Sequence, residues 1–380
     1  MQGSDSVKTT IKRSTPIVRT PRLMQLEGLF DVPPADRAEL EWQVDLPVEG
    51  KEWNVGLIVG PSGCGKSTIA RELFGNHYVN GFDWPADKSV VDGFPSELSI
   101  KDVTLLLSSV GFSSPPSWAR PFRVLSNGEQ FRATLARALA ENAELCVFDE
   151  FTSVVDRTVG KIGSAAVAKT VRRRKQKFIA VTCHDDVIEW LDPDWVYSPV
   201  DNSLQWRLVR RRPVIELEIC RVHHSAWRLF AHHHYLTASL SKSAFCFCAF
   251  LEGRPVAFDA WLPFFGRSNG KIRRGHRTVC LPDYQGVGIG NALFTRIASM
   301  WTGLGFRAVS CTGHPAEIAH RMRSMNWRMT SKPTRHRRGH HNPDKARAIN
   351  RLVASFEYIG PKMDRSEAER QLNAWATKAA

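Results

Sequence analysis

The run Gly60-Pro61-Ser62-Gly63-Cys64-Gly65-Lys66-Ser67, followed by Thr68, constrains this chain more than any other segment. Glycines spaced through the run, then a lysine and a hydroxyl, suit a backbone loop wrapped around phosphate. Glycine lets successive amides turn inward, and a helix start adds positive potential. The flanks agree with this. Gly56–Val59 reads as a buried strand, and Ile69, Ala70, Leu73 and Phe74 share one face of a helix. Lys66 is placed to reach the outer phosphates and Ser67 to ligate Mg2+. From Pro21 to Pro199, short apolar runs alternate with helical patterns, which predicts an α/β fold with a largely parallel sheet.

Two further apolar runs end at chemistry. Leu145–Phe148 ends at Asp149 and Glu150, and Phe178–Thr182 stops just before His184. Between the phosphate loop and these runs, Leu125-Ser126-Asn127-Gly128-Glu129 opens a helix with Phe131, Leu135 and Leu139 on one face. By itself that segment reads equally as an N-capped helix. Ser153-Val154-Val155-Asp156 follows the carboxylates. In this order the segments resemble the motifs of ABC-type ATPases, over about residues 24–205. The resemblance implies a P-loop domain with a mixed sheet and a helical subdomain, binding ATP and Mg2+. It implies that Asp149 supports the Mg2+ held by Ser67 and that Glu150 polarises the attacking water. Ser126 and Gly128 become a signature segment facing the phosphate on an opposing subunit, Asp156 the D-loop carboxylate and His184 the switch histidine. One set of motifs per chain then implies a homodimer. Asn127 replaces the family's first signature glycine, a change that asparagine's tolerance of left-handed backbone makes mild, and Glu129 replaces its glutamine. Asp92 is the candidate for the missing loop glutamine. Phe30 is the candidate for the adenine-stacking aromatic, with core packing an equal alternative.

The pattern changes after a boundary near residues 201–213, where Arg210, Arg211 and Arg212 precede Pro213. Strands are predicted at Val214–Ile219, Ala244–Leu251, Pro255–Phe264, Arg277–Leu281, Ala308–Cys311 and Val353–Ile359, with a turn at Glu252-Gly253-Arg254. Helices are predicted at Asn291–Trp301 and Ala316–Met325. Gln285-Gly286-Val287-Gly288-Ile289-Gly290 lies between a strand and a helix and resembles motif A of the GNAT acyltransferases. A tight strand–helix turn is the plainer reading of the same residues. The resemblance covers about residues 214–360 and implies a GNAT-like α/β fold binding acetyl-CoA or another acyl-CoA. Val279, Leu281 and Gln285 to Gly290 would hold the donor, with diphosphate on the loop amides. His314 and Tyr284 are the candidate catalytic groups, beside Asp283 and the cluster His232, His233, His234 and Tyr235. The family's acid tyrosine has no match in Ala316–Met325, which offers only His320.

These readings divide the chain into a flexible segment 1–22, an ATP-binding domain 23–208, an acyltransferase domain 209–360 and a helical tail 361–380. Charge divides it too. Residues 1–200 hold 23 Lys/Arg against 26 Asp/Glu, and residues 201–380 hold 29 against 12, so the second part carries the excess. Basic clusters at Arg210–Arg212, Arg273–Arg277, Arg321–Arg328 and Arg335–Arg338, with His276, Trp327 and His336 among them, predict a nucleic-acid partner, DNA or RNA. A solvated surface is the alternative, and it is the preferred reading of the run Arg172–Lys177 at a helix end. The eight cysteines form no CxxC pair, and a zinc site from Cys220, His223, His224, Cys246 and Cys248 fits no usual ligand spacing. The N-terminus is polar and no apolar run approaches a membrane span, so the expected location is cytoplasmic. The sequence therefore predicts an ABC ATPase coupled to an acyl-CoA-dependent N-acyltransferase acting on or near nucleic acid. Two rivals remain: the ATPase of a transport system with an accessory acetyltransferase, and an ATP-switched nucleic-acid-binding module.

Overall fold

In the computed structural model, residues 8–30, 32–206, 215–234, 238–264, 270–335 and 352–376 are described. Their contacts divide the chain into two units that are not consecutive in sequence. Residues 1–81, 142–153 and 171–211 form the first, and residues 82–141, 154–170 and 212–380 the second. The helical segment between the phosphate loop and Glu141 therefore packs with the second sheet. A division at residue 208 does not capture this.

The first unit is built on the run Val55–Val59 (β3), which is buried throughout. It sits in a six-stranded sheet with Tyr78–Val79 (β4), Leu145–Phe148 (β5), Lys177–Thr182 (β6), Trp195–Ser198 (β7) and Ser203–Trp206 (β8), ordered β4-β5-β6-β3-β7-β8. All pairings are parallel except β7 with β8. Parallel strands buried on both faces read as continuous apolar runs, which is why the sequence exposes them. Lys66–Phe74 (α2) buries Ile69 and Ala70, and Val187–Leu191 (α7) follows β6. The N-terminal segment departs from its flexible expectation: Lys8–Pro16 (β1) pairs antiparallel with Arg37–Asp45 (β2), and Pro21–Phe30 (α1) lies between them. Ile11 and Val44 enter the core beneath this ribbon, which gives it a reason to order.

The second unit holds a seven-stranded sheet made of Glu218–Val222 (β9), Phe245–Leu251 (β10), Arg254–Phe264 (β11), Ile272–Cys280 (β12), Arg307–Thr312 (β13), Trp327–Arg335 (β14) and Leu352–Tyr358 (β15). Its order is β14-β15-β13-β12-β11-β10-β9. β9 to β12 form an antiparallel meander. β12 and β13 are parallel, joined by Ile289–Gly303 (α8), and pair only from Ile272 to Arg274. Beyond Arg274 the two strands part. A register shift opposite Ala260/Trp261 leaves His276 bulged out of the β12 ladder. Pro315–Arg323 (α9) follows β13, and Arg365–Asn373 (α10) packs on α8. The expected tail is tied down, since Arg221 exchanges backbone hydrogen bonds with Ala374 and Ala376. β14 was not foreseen, β12 begins earlier than expected, and the strand sought at Val214–Ile219 runs from Glu218, with Val214 outside the described residues.

The same unit contains the helical segment: Ile100–Ser109 (α3), Pro115–Trp118 (α4), Asn127–Glu141 (α5) and most of Arg157–Arg174 (α6). α3 packs against both α5 and α9.

Candidate functional site

In the first unit, β3 ends at Gly60 and the chain turns through Gly63 and Gly65, at φ 82° and 94°, into α2. Gly65 is the residue before the helix, and a Cβ there would collide with the indole of Trp42. Only glycine combines that left-handed backbone with so close a neighbour. Trp42 Nε1 donates to the Cys64 carbonyl at 3.0 Å, so β2 braces the loop from outside. Pro61, Ser62 and Gly63 are exposed, while Cys64, Lys66, Ser67 and Thr68 are half-buried. Lys66 Nζ donates to the Pro61 carbonyl at 2.8 Å, which holds the ammonium across the mouth of the loop. Exposed turns at a helix start, an ammonium across them and a helix-borne hydroxyl together suit a bound polyphosphate.

The carboxylates stand at the end of β5. Asp149 is buried, its amide donates to the Val79 carbonyl at 2.8 Å, and its Oδ2 accepts from the Tyr78 hydroxyl. Burial raises the Tyr78 phenol above its ordinary pKa, and its bond to the Asp149 carboxylate adds to this. Glu150 is exposed and has φ 52°, a left-handed backbone unusual for a glutamate. Strain of this kind collects at functional positions and turns the side chain out of the strand. Phe151 N donates to Val181 O at 2.9 Å, which brings the segment after β5 beside the end of β6. His184 follows that strand, half-buried, with its amide bonded to Thr182 Oγ1.

Phe30 does not belong to this cradle. It ends α1 with 72% of its surface exposed, and Trp42 is the aromatic that touches the loop. Trp42 was missed because Phe30 was chosen on sequence position, whereas contact with the loop depends on the β1–β2 pairing. Tyr78 was missed because a two-residue strand leaves no periodic trace.

In the second unit, Ser126 caps α5, the arrangement that the plainer reading of this segment expects. Glu129 N donates to Ser126 Oγ at 3.3 Å, and Ser126 N and Oγ donate to Glu129 Oε2 at 3.0 and 3.1 Å. This is a reciprocal capping box. Ser117 Oγ also donates to Glu129 Oε1, at 2.7 Å. The carboxylate is therefore a structural acceptor, which accounts for glutamate at this position. Asn127 is helical and has no positive φ, so its left-handed tolerance is not used. Asp156 caps α6 by accepting from Thr158 N and Val159 N at 2.9 and 3.0 Å. Asp92 accepts from both Ser89 N and Ser89 Oγ in a capped 3₁₀ turn, a local role unlike that of a loop glutamine.

Gly288, at φ 105°, precedes α8 as a left-handed turn from strand to helix. Its neighbours are committed within the unit. Gln285 Nε2 donates to Cys280 O at 2.8 Å, while its Oε1 accepts from Ser113 N at 2.6 Å. Val279 and Ile289 are buried in apolar clusters, and Leu281 and Val287 pack against them, so their side chains serve the core. Gly290 lies close over Cys280. Tyr284 packs against the same core, and burial raises its pKa, opposed by Arg254. His314 begins α9, buried beside Trp118 with ring centroids 6.2 Å apart. Burial lowers its pKa, opposed by Glu317 and by a backbone hydrogen bond with Ser113. Tyr235 lies outside the described residues.

Where β12 and β13 part, a buried polar group appears that was not sought. Asp259 is fully buried; its carboxylate accepts from Trp261 Nε1 at 2.6 Å and from Thr278 Oγ1 at 2.9 Å. Burial pushes its pKa up to about 7. Arg321 is buried as well, bonded to Ser310 Oγ at 2.5 Å and paired with Glu317 at 3.4 Å. Burial acts to raise Glu317, but Arg321, His314 and a bond from Thr312 hold it below the usual range. A lone carboxylate within VAFDAWL was the visible signal for Asp259.

The basic clusters are only partly at the surface. The Arg273 guanidinium lies 3.7 Å from the Phe306 ring centroid, Arg321 is buried, and Trp327 is 6% exposed. Arg328 is exposed but pairs with Glu357 at 3.0 Å. Trp327 therefore cannot stack on a base as expected, because it fills the core against Phe294 and Tyr358. Arg210–Arg212 and residues 336–338 lie outside the described residues. Arg172 pairs with Asp194 at 3.8 Å at the end of α6. Cys246 and Cys248 lie in an apolar cluster, Cys220 is buried opposite Cys248, and burial pushes the Cys246 and Cys248 thiols up to about 12. Among the described residues no cluster of three His, Cys, Asp or Glu could hold a metal ion, and no helix is long and apolar enough to cross a membrane.

Comparison with known proteins bears on the phosphate-loop chemistry. The chain is 30% identical over 161 residues to the Fe(3+) ions import ATP-binding protein FbpC of Rhodococcus jostii, covering 34% of this chain and 46% of that protein. It is 29% identical over 157 residues to the molybdenum import ATP-binding protein ModC of Rhodobacter capsulatus, covering 31% of this chain and 41% of that protein. The chain thus spans less than half the length of these relatives. Among solved structures, a dimeric ATP-binding cassette in a post-hydrolysis state with ADP and Pi matches at 18% identity and TM-score 0.36, over 43% of this chain and 89% of that one. No family model matches the chain. The similarity to these two ATP-binding proteins agrees with the ordered motifs.

Proposed function

We propose that this chain is an ABC-type ATP hydrolase. The observation that carries the reading is the Gly63–Ser67 cradle between β3 and α2, with Asp149 and Glu150 at the end of β5, one strand removed from β3 in the same sheet. Lys66 and the loop amides would hold the phosphates, and Ser67 and Asp149 the Mg2+ that neutralises their charge. Tyr78 orients Asp149, while Glu150 is free to take a proton from the attacking water. A second copy would supply Ser126 and Gly128, so the working form is a homodimer. Glu150→Gln tests this. It should lower ATP turnover by at least about a hundredfold while nucleotide is retained, and undiminished turnover would refute the assignment.

For the second sheet we propose acyl transfer from an acyl-CoA to an amine. Four features support it: parallel strands parting beyond Arg274, a bulge at His276, a left-handed Gly288 opening α8, and the buried carboxylate of Asp259. Asp259 would act as the group of tuned basicity and Glu317 as the anion facing a cationic acceptor. Acetyl-CoA binding by the full chain tests this reading, and no binding under any nucleotide condition would refute it. A nucleic acid remains the proposed acceptor or platform on the charge of residues 201–380. The names of the import relatives favour one rival, an ATPase of a transport system, which co-purification with membrane subunits would support.

A further inference from the structure

The loop Pro282–Gly288 is clasped by the helical segment of its own unit. A Cβ on Gly111 would lie 2.7 Å from the Gln285 carbonyl oxygen, and one on Gly286 would lie 2.8 Å from Gly111 Cα. Two backbones meet there with no room for side chains, and both glycines have φ 91°. Ser113 N donates to Gln285 Oε1 at 2.6 Å, so the α3–α4 turn occupies a side chain that the donor loop would otherwise present. So close an approach leaves little room over Gln285 and Gly286 for a diphosphate.

The clasp also touches the signature helix. Arg132, one turn beyond Gly128 on α5, is fully buried, and its Nη2 reaches Asp283 Oδ1 at 3.4 Å. Its Nε and Nη1 have no hydrogen-bond partner among the described residues. Nη1 would be 3.4 Å from a Cβ on Gly128, and Nε 3.6 Å from one on Gly111. The guanidinium thus stands between the N-terminus of α5, the α3–α4 turn and the glycine loop. A buried cation with unused donors is costly, and it gains from an anion that satisfies them.

We propose that Arg132 makes opening of the glycine loop conditional on nucleotide. A phosphate arriving at the N-terminus of α5 recruits the unused donors of Arg132, the long contact to Asp283 is given up, and the loop parts from the α3–α4 turn. The acyl-donor site is then covered until the signature segment is engaged. This rests on both functional readings above, but the movement can be read without either activity.

The test is hydrogen–deuterium exchange on the full chain, with Glu150→Gln used to retain ATP and Mg2+, alongside equilibrium dialysis of labelled acetyl-CoA. Exchange at the Ser113 amide and across residues 282–288 should rise about tenfold with ATP and not with ADP, and acetyl-CoA should bind about tenfold tighter. Asp283→Asn, at an exposed position, and Gln285→Ala should produce the same exchange without nucleotide. Unchanged exchange at Ser113 with ATP demonstrably bound would overturn the coupling. A tenfold exchange response with no acetyl-CoA binding in any form would uphold the coupling and remove the acyl-transfer reading.

Discussion

Asp259 is a carboxylate that the fold raises to about 7 from an ordinary value of 3.8. Burial is the leading cause, opposed by hydrogen bonds from Trp261 and Thr278 and by the charge of Arg321. Because the folded state binds the proton more tightly, the native state loses stability as pH rises from about 4 through about 7. Three tenfold steps in proton affinity correspond to about 4 kcal/mol at full ionisation. Roughly 2.5 kcal/mol of this falls between pH 5 and pH 8. Asp259→Asn removes the titration and keeps the geometry: the amide oxygen can accept from Trp261, and the amide nitrogen can donate to Thr278. The variant should be more stable than the parent at pH 8, with the gain shrinking toward pH 5. Because the chain has two units, the measurement is amide exchange of β11 and β12 across pH, corrected for intrinsic rates, in place of one melting temperature. Parallel pH profiles for parent and variant would refute the argument. If acyl transfer is confirmed, the same variant should lose the rise in rate that follows Asp259 ionisation near pH 7.

Trp42→Ala should raise the ATP Kd about tenfold, with a smaller effect from Trp42→Phe, read by nucleotide titration; equal binding in all three would remove Trp42 from the site. Gly65→Ala should abolish nucleotide binding, since about 1–2 kcal/mol of backbone strain adds to a clash with the Trp42 ring. Wild-type binding by that variant would mean the loop is not the phosphate cradle. Affinity for nucleic acid should fall steeply between 50 and 200 mM salt, roughly as the number of phosphates contacted. A flat response would leave the charge of residues 201–380 as a solubility feature.

The chemistry carried by short contiguous segments was legible without a structure. Gly60–Ser67 sets its own backbone path. Leu145–Glu150 displays a buried strand and its terminal carboxylates, and Ser126 with Glu129 announces a cap. Each depends on residues a few positions apart, where local sterics and hydrogen bonds decide the outcome. What required the tertiary structure were contacts between distant residues. Trp42 reaches Cys64 only through the pairing of β1 with β2, and Asp259 owes its raised proton affinity to burial within the second sheet. Arg132 meets Asp283 across 151 positions. The placement of the helical segment with the second sheet, against a boundary drawn at residue 208, belongs to the same class. Burial and close approach are properties of folded neighbours, and no periodicity along the chain encodes them. The glycine-rich segments at residues 60–67 and 285–290 marked two left-handed turns into helices, and the fold decided that the second is closely met by the α3–α4 turn.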